Sequence, residues 1–247
     1  MLSWFFKSGS TLSDYSFLKT DFHAHWLPAL DDGSPDMEHT LAMLRKYEQL
    51  GFSNLIASPH VMVDMYTNTP RLIKKQLAAV IKSSEAANIN LTLAAAAEYM
   101  LDEGFGDLLE NNTLLPIGDN RVLIEFGFYA SPFNLDELVF QIQAAGLQPI
   151  IAHPERYRYY FRDITDLRNL HKRGSSLQIN LLSLGGYYGK RVAALARQLL
   201  ENNLVDYLGT DAHSIDHLQK IEALLNDRKV CKLIQSHQFK NHELLSA

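Results

Sequence analysis

Short apolar runs rich in β-branched and aromatic residues alternate along this chain with longer segments whose apolar positions recur every three to four residues. The runs fall at residues 17–23, 52–58, 90–96, 121–126, 147–152, 176–180 and 205–210. This alternation predicts strand-helix units around a parallel sheet. Between the runs, Ser34-Pro35 and Thr69-Pro70 each place a capping hydroxyl before a proline suited to a first helical turn, predicting two helix starts. After the first, Met37, Leu41, Leu44 and Tyr47 keep the spacing of one buried face, and Gly51 supplies a stop before the second run.

The side chains able to hold a metal ion sit at the C-terminal ends of these runs. The first leads into Asp21-Phe-His23-Ala-His25, the second into Ser58-Pro-His60 and the third into Ala97-Glu98. The fourth carries Glu125, the fifth leads into Ala152-His153-Pro-Glu155-Arg156, and the seventh into Thr210-Asp211-Ala-His213. Only the sixth lacks an ionisable group, ending at Asn180. If the strands surround one mouth, ends far apart in sequence meet there. Alternate side chains of an extended strand share a face, so His23 with His25 predicts one ion-binding pair and Asp211 with His213 another. Such a pair alone is more often structural than a ligand pair. Glu98 and Glu125 weigh more. A carboxylate ending an apolar strand costs on the order of several kcal/mol unless a metal or charge partner offsets it, and few Lys or Arg flank these motifs to form a salt-bridge network instead.

Composition narrows the chemistry. A chain of 247 residues, 47% hydrophobic, suffices for one large core, so residues 1–247 are expected to form a single domain, with 1–16 as a loose N-terminal segment. A net charge of −5 gives no overall basic field for gripping a polyanion, which disfavours nucleic acid as a partner. The lone Cys231 excludes an internal disulfide or a cysteine cluster, and the following Lys-Leu-Ile-Gln-Ser-His has no arginine where a cysteine-dependent phosphatase needs one. The opening residues contain no apolar run long enough for a signal segment or membrane span, so the expected location is cytoplasmic.

Asp21-Phe-His-Ala-His25, Leu30-Asp-Asp-Gly33 and Ala57-Ser-Pro-His60 resemble motifs of the polymerase and histidinol phosphatase (PHP) superfamily. Within it, Ala97-Glu-Tyr-Met-Leu-Asp-Glu103, Leu123-Ile-Glu-Phe126, Ile151-Ala-His-Pro-Glu-Arg-Tyr157 and Gly209-Thr-Asp-Ala-His213, in that order, are most similar to the CpsB/CapC group. Those are bacterial protein-tyrosine phosphatases linked to capsular and exopolysaccharide synthesis. The likeness runs from about Lys19 to Leu218.

The resemblance implies an α/β fold, a distorted (β/α)7 TIM-like barrel of the PHP type, holding two or three divalent ions, manganese first, with iron or zinc as alternatives. It implies His23, His25, Glu98 and Asp211 on one ion, Glu98 bridging to a second held by Glu125 and His153, and Asp32, His60 and His213 on the remaining one. A metal-activated hydroxide would attack phosphorus beside Asp32 and His213, with Arg156 as a guanidinium clamp on the phosphoryl oxygens. The implied partner is a tyrosine-phosphorylated protein, namely a bacterial tyrosine kinase.

Several positions admit two readings. Arg156 is a phosphate clamp or a surface partner of Glu155; Asp31 orients a histidine or belongs to the turn before Gly33. Tyr66 and Tyr157 either contact the phosphotyrosine ring or pack loops, and Gly185-Gly-Tyr-Tyr-Gly-Lys190 is a candidate mouth loop without a Walker pattern. Several relatives carry an arginine shortly after the final Asp-X-His motif. Here Ser214-Ile-Asp-His-Leu-Gln-Lys220 has none, leaving His217 and Lys220 as stand-ins unless Ser214 simply caps a helix with a solvent-facing polar side. His39, in a polar stretch, is not expected to be a ligand. The competing functions are a small-molecule phosphatase of the histidinol-phosphate type or a nuclease on the same core, and a metal-stabilised scaffold without turnover. The intact set of candidate ligands weighs against the scaffold.

Overall fold

The computed structural model describes residues 11–245, and every strand pair in it is parallel. The strands are β1 (Thr20–Asp21), β2 (Asn54–Ala57), β3 (His60–Val61), β4 (Thr92–Ala95), β5 (Glu98–Met100), β6 (Arg121–Glu125), β7 (Gln148–Ala152), β8 (Ser176–Asn180) and β9 (Tyr207–Gly209). They form one sheet in the order β1-β2-β4 and another in the order β3-β5-β6-β7-β8-β9. The helices are α1 (Met37–Gln49), α2 (Pro70–Ala86), α3 (Phe105–Glu110), α4 (Leu135–Ala144), α5 (Thr165–Lys172), α6 (Leu181–Leu184), α7 (Lys190–Glu201), α8 (Ile215–Leu224) and α9 (Arg228–Gln235). None of the helices in the described residues is long and apolar enough to cross a membrane.

Two of the expected runs are each followed by a further short strand. The second run holds β2, and β3 follows it after Ser58-Pro59, where Pro59 has no N–H to give the ladder; the third run holds β4, and β5 follows it after Ala96-Ala97. Hydrogen bonds from Ala96 N–H to Ala57 O (2.8 Å) and from Glu98 N–H to Pro59 O (3.1 Å) carry the ladder across. His60 and Glu98 therefore open new strands as register partners instead of trailing off old ones. The outer strands are also tied: Ala24 bridges Ala212 in parallel, Asp211 N–H donates to His23 O (2.7 Å) and His25 N–H to Ala212 O (3.0 Å).

The strands read as near-continuous apolar runs because both faces are buried. Leu123 and Ile150 pack with Phe22, Ile56 and Ala152 in one cluster, while their neighbours Val122, Ile124 and Ile151 face a second, larger cluster shared with the helices. Leu44 and Tyr47 of α1 are fully buried there, and Met37 and Leu41 pack against it.

Thr69 caps α2 as expected, accepting from Leu72 N–H at 3.3 Å with Pro70 in the first turn. Ser34 does not cap α1. The cap is Asp36, whose carboxylate accepts from His39 N–H (2.9 Å), while the Ser34 hydroxyl is turned inward against Thr40 and Asp36 O. An ionised acceptor at the helix start outcompetes a hydroxyl two residues earlier. Gly51 follows the end of α1 at φ +89°, a conformation only glycine adopts without strain.

The expected loose segment is corrected over its described part: Leu12 N–H donates to Leu225 O (3.1 Å), and the buried Tyr15 donates its hydroxyl to Ile221 O (2.9 Å). Residues 1–10 lie outside the described ones.

Candidate metal centre

The expected ligands meet at one place. Ring centres of His25 lie 3.9 Å from His213, 4.5 Å from His60 and 5.7 Å from His23, and His23 lies 5.4 Å from His153. Glu98 Oε1 is 3.1 Å from Nε2 of both His23 and His153, and its Oε2 is 3.2 Å from His60 Nδ1. Glu125 is 3.0 Å from the same His60 nitrogen. Asp211 Oδ1 lies 3.4 Å from His25 and 3.5 Å from His23, and Asp32 lies 3.4 Å from His213 and 3.7 Å from His60.

Four overlapping groups emerge, each with candidate ligand atoms within 4.8 Å of one another: His25, Asp32, His60 and His213; His23, Glu98 and His153; His23, His25 and Asp211; His60, Glu98 and Glu125. The structure departs from the implied partition in one respect. His60 shares Glu98 with Glu125, and His153 lies nearer His23 and Glu98 than Glu125, which is 3.9 Å away.

The donor set fits divalent ions. Ligand bonds of roughly 2.0–2.2 Å around a tetrahedral ion separate neighbouring donors by roughly 3–3.5 Å, the spacing seen here. Among the described residues, His23 Nε2, His25 Nε2, His60 Nδ1 and Glu98 Oε2 are buried without a hydrogen-bond partner. Such orphans are costly unless something else satisfies them, and a cation facing all of them does so.

A surrounding shell aims these donors. His23 Nδ1 is held by Gln178 Oε1 and His25 Nδ1 by Asp31 Oδ2, each at 2.7 Å, and His213 Nδ1 by Asp211 O at 3.0 Å. In each ring Nδ1 is occupied and Nε2 faces the cluster, as ligating histidines require. Asp31 fills both of its expected roles, since it also accepts from Gly33 N–H (2.9 Å) and His60 N–H (3.1 Å). Gly33 admits no side chain: a Cβ there would lie 2.1 Å from His25 O.

Gln178 and Asn180 of β8 were not singled out as site residues from sequence. Gln178 Nε2 donates to Asn180 Oδ1 (2.8 Å), and Asn180 Nδ2 donates to Asp211 Oδ2 (2.7 Å), so this strand links His23 to Asp211 through two amides. The available signal was a pair of polar residues two apart on an otherwise apolar strand, hence on one face.

His153 and Asp211 follow their strands with φ of +32° and +49°, in the left-handed region that disfavours side chains. Asp211 and His213 thus converge through a bent backbone and not through the strand alternation expected. Such strain persists where surrounding contacts over-determine it.

The electrostatics follow from confinement. Burial alone would lower the pKa of His23, but Glu98 and Asp211 outweigh it and hold it up to about 9. His25 behaves likewise against Asp31 and Asp211, and is raised well above its usual value. Burial would raise Glu98 and Asp211, yet the facing imidazoles hold both well below the usual carboxylate range.

Arg156 reaches the cluster from the turn after β7. It donates to Asp211 Oδ2 at 2.8 Å, which leaves Oδ1 facing the histidines, and its guanidinium lies 4.7 Å from the Phe128 ring centre and 4.5 Å from Tyr188. The alternative pairing with Glu155 is not formed: Glu155 is buried, accepting from Asn180 N–H (2.9 Å) and the Ser183 hydroxyl (2.6 Å). Tyr188 places the glycine-rich loop beside the site.

Tyr66 stacks on His60 with ring centres 5.7 Å apart. Tyr157 is corrected as a substrate contact. It is 0% exposed, its hydroxyl accepts from Phe126 N–H (2.9 Å), and its ring lies between core aromatics, so it props up His153 and offers no face to a ligand. Ser214 caps α8, His217 contacts Tyr187 and His213, and Lys220 pairs with Asp216. His39 is exposed and pairs with Asp36, away from the cluster.

The family model described as capsular polysaccharide synthesis, CpsB/CapC, matches residues 19–233. The chain belongs to the CpsB/CapC family. This CpsB/CapC protein is 32% identical over 196 residues to the tyrosine-protein phosphatase YwqE of Bacillus subtilis, covering 79% of this chain and 77% of the relative. It is 26% identical over 202 residues to the tyrosine-protein phosphatase CpsB of Streptococcus pneumoniae, covering 79% and 83%. It superposes with a TM-score of 0.81 and 30% identity, over 92% of this chain and 94% of the other, on a structure from a study of YwqE and CpsB that describes them as unique metal-dependent tyrosine phosphatases. A histidinol phosphate phosphatase of Lactococcus lactis, 13% identical with a TM-score of 0.50 over 85% and 93% of the chains, shares the fold alone.

Proposed function

We propose that this CpsB/CapC protein is a metal-dependent protein-tyrosine phosphatase, a phosphoric monoester hydrolase of capsule or exopolysaccharide regulation. The observation that carries the reading is the convergence of the histidines and carboxylates into overlapping ligand groups, with Gln178, Asp31 and Asn180 holding them in orientation. Nine residues are assigned to the metal centre: His23, His25, Asp32, His60, Glu98, Glu125, His153, Asp211 and His213.

Divalent ions held by these residues would supply Lewis acidity and would bring the pKa of water down toward roughly 7 to 9. The chain's own residues set the rest. Four carboxylates, Asp32, Glu98, Glu125 and Asp211, balance two divalent ions and leave two positive charges with three, a field suited to a phosphate dianion. Arg156 keeps N–H donors beyond the one given to Asp211 and binds phosphoryl oxygens with them. Asp32 and His213 hold the more open side of the cluster, where the substrate enters, and Tyr66 offers its ring to the aryl group. The tyrosine phenolate, with a pKa of about 10, leaves more readily than an alkoxide, which favours aryl phosphates.

The tied ends of the two sheets support reading the fold as a distorted (β/α)7 barrel within one domain. Mixed imidazole and carboxylate donors suit manganese, with iron or zinc as competitors. The substrate is a tyrosine-phosphorylated protein, a bacterial tyrosine kinase, in the cytoplasm. The test is turnover by manganese-loaded protein of a phosphotyrosine peptide beside a phosphoserine peptide and histidinol phosphate. Chelator-sensitive, thiol-reagent-insensitive cleavage of phosphotyrosine is expected. Cleavage of the small phosphate alone, or metal binding without turnover, overturns the reading.

A further inference from the structure

Beside the metal centre lies a cavity of ≈ 1010 Å³ that Arg156 and Tyr188 share with it. Its walls carry Arg156, Arg158, Arg162, Lys190 and Arg191 and no Asp or Glu, in a chain whose net charge is −5. The positive charge comes from two separate segments, the turn after β7 and the first turn of α7, which the fold sets facing one space. Arg158, Arg162, Lys190 and Arg191 are exposed, and none forms an ion pair among the described residues. Arg158 instead lies over the ring of Tyr129, 4.6 Å from its centre, and Tyr129 is itself 76% exposed.

Grouped cations without counter-charges repel one another, and a helix start disfavours Lys and Arg further. An anion entering the groove relieves both. The volume reaches the upper end of the roughly 300–1,000 Å³ that encloses a drug-sized ligand, more than one phosphoryl group needs. The cavity is concave and lined by aromatic rings, which suits a peptide side chain better than a flat membrane surface.

We propose that this groove binds a second anionic group, a carboxylate or a further phosphate, carried on the same peptide as the phosphotyrosine held at the metal centre. The proposal deepens the phosphatase reading and rests on it for the position of the first phosphate. The enzyme then prefers acidic or doubly phosphorylated tyrosine segments, and its preference is electrostatic and weakened by salt.

The test combines Arg162→Gln, Lys190→Gln and Arg191→Gln, exposed positions outside the ligand shell. Three substrates are compared in kcat/KM: p-nitrophenyl phosphate, a phosphotyrosine peptide with neutral flanks, and the same peptide with a second phosphotyrosine and flanking Glu. The wild type is expected to favour the doubly phosphorylated peptide by about ten-fold, mainly through KM. The variant is expected to bring that ratio close to one while keeping p-nitrophenyl phosphate turnover. A wild-type ratio near one, or a variant that keeps the preference, overturns the proposal.

Fluorescence anisotropy with a non-hydrolysable phosphonate version of the charged peptide reads the groove independently of turnover. If no phosphotyrosine is hydrolysed, the phosphatase reading fails, while salt-sensitive and variant-sensitive peptide binding still upholds the groove. Binding unchanged in the variant, or capture by phosphatidylglycerol vesicles in preference to the peptide, overturns it.

Discussion

Gln178 shows how much the site depends on uncharged residues. Its side-chain carbonyl holds His23 Nδ1 and its amide passes a second hydrogen bond to Asn180. Gln178→Leu keeps the volume and removes both, so manganese affinity measured by calorimetry should fall about 10–100-fold with little change in far-UV circular dichroism. Unchanged affinity would show that the ring is oriented by packing alone. Arg156→Lys is expected to keep a charge beside Asp211 and lose the planar fork, lowering kcat/KM for phosphotyrosine on the order of 100-fold with metal content retained. Gly33→Ala places a Cβ 2.1 Å from His25 O and is expected to displace His25 and Asp31 together, read as loss of bound metal.

At this scale the ligands were legible because ionisable groups ended apolar runs. Gln178 and Asn180 were visible only as a polar pair on a buried strand. The role of Tyr157 was not legible, since its hydroxyl's partner is a backbone N–H thirty-one residues away.

Among the elements, the starts of the helices separate strong signals from weak ones. Thr69 and Pro70 act as the sequence suggests. At α1 the hydroxyl of Ser34 is spent on Thr40 inside the fold, and Asp36 takes the cap, a choice that depends on where the preceding loop packs against the His25 segment. Asp36→Ala should therefore lower the midpoint of urea denaturation.

The alternation of runs and helices was likewise plain, while the extra strands β3 and β5, which follow two of the runs after Ser58-Pro59 and Ala96-Ala97, were not. Each is only two or three residues long, too short to carry a period of its own. The connection between β8 and the C-terminal turn adds a pH dependence. Asp206 accepts from Lys240 (2.7 Å), His171 (3.1 Å) and Leu177 N–H (3.1 Å). Burial would raise its pKa, but His171 and Lys240 outweigh it, so the folded value is depressed. The stability this gives is complete above the unfolded value of about 3.9 and is lost as pH falls through the folded one. Asp206→Asn should lower the urea midpoint at pH 6 and flatten its fall below pH 4. A wild-type midpoint insensitive to pH across that range would contradict the assignment.

For the whole molecule, parallel strands and tied outer ends bring together residues from His23 to His213, and the same convergence concentrates like charges that metal ions must offset. The alternation of elements foretold the meeting of strand ends, but not which ligands share an ion, because that depends on side-chain distances such as His60 to Glu125. Glu98 is the most shared carboxylate, within 3.5 Å of His23, His25, His60 and His153. The most direct measurement is metal content per chain by plasma mass spectrometry, taken beside phosphotyrosine turnover, for wild type and Glu98→Gln before and after chelation. Wild type should hold two or three ions, lose turnover with chelation and regain it with manganese, and Glu98→Gln should lose more than one ion together with turnover. Turnover that survives complete chelation, or a Glu98→Gln protein with full metal content and full activity, would contradict a shared metal centre as the source of the chemistry.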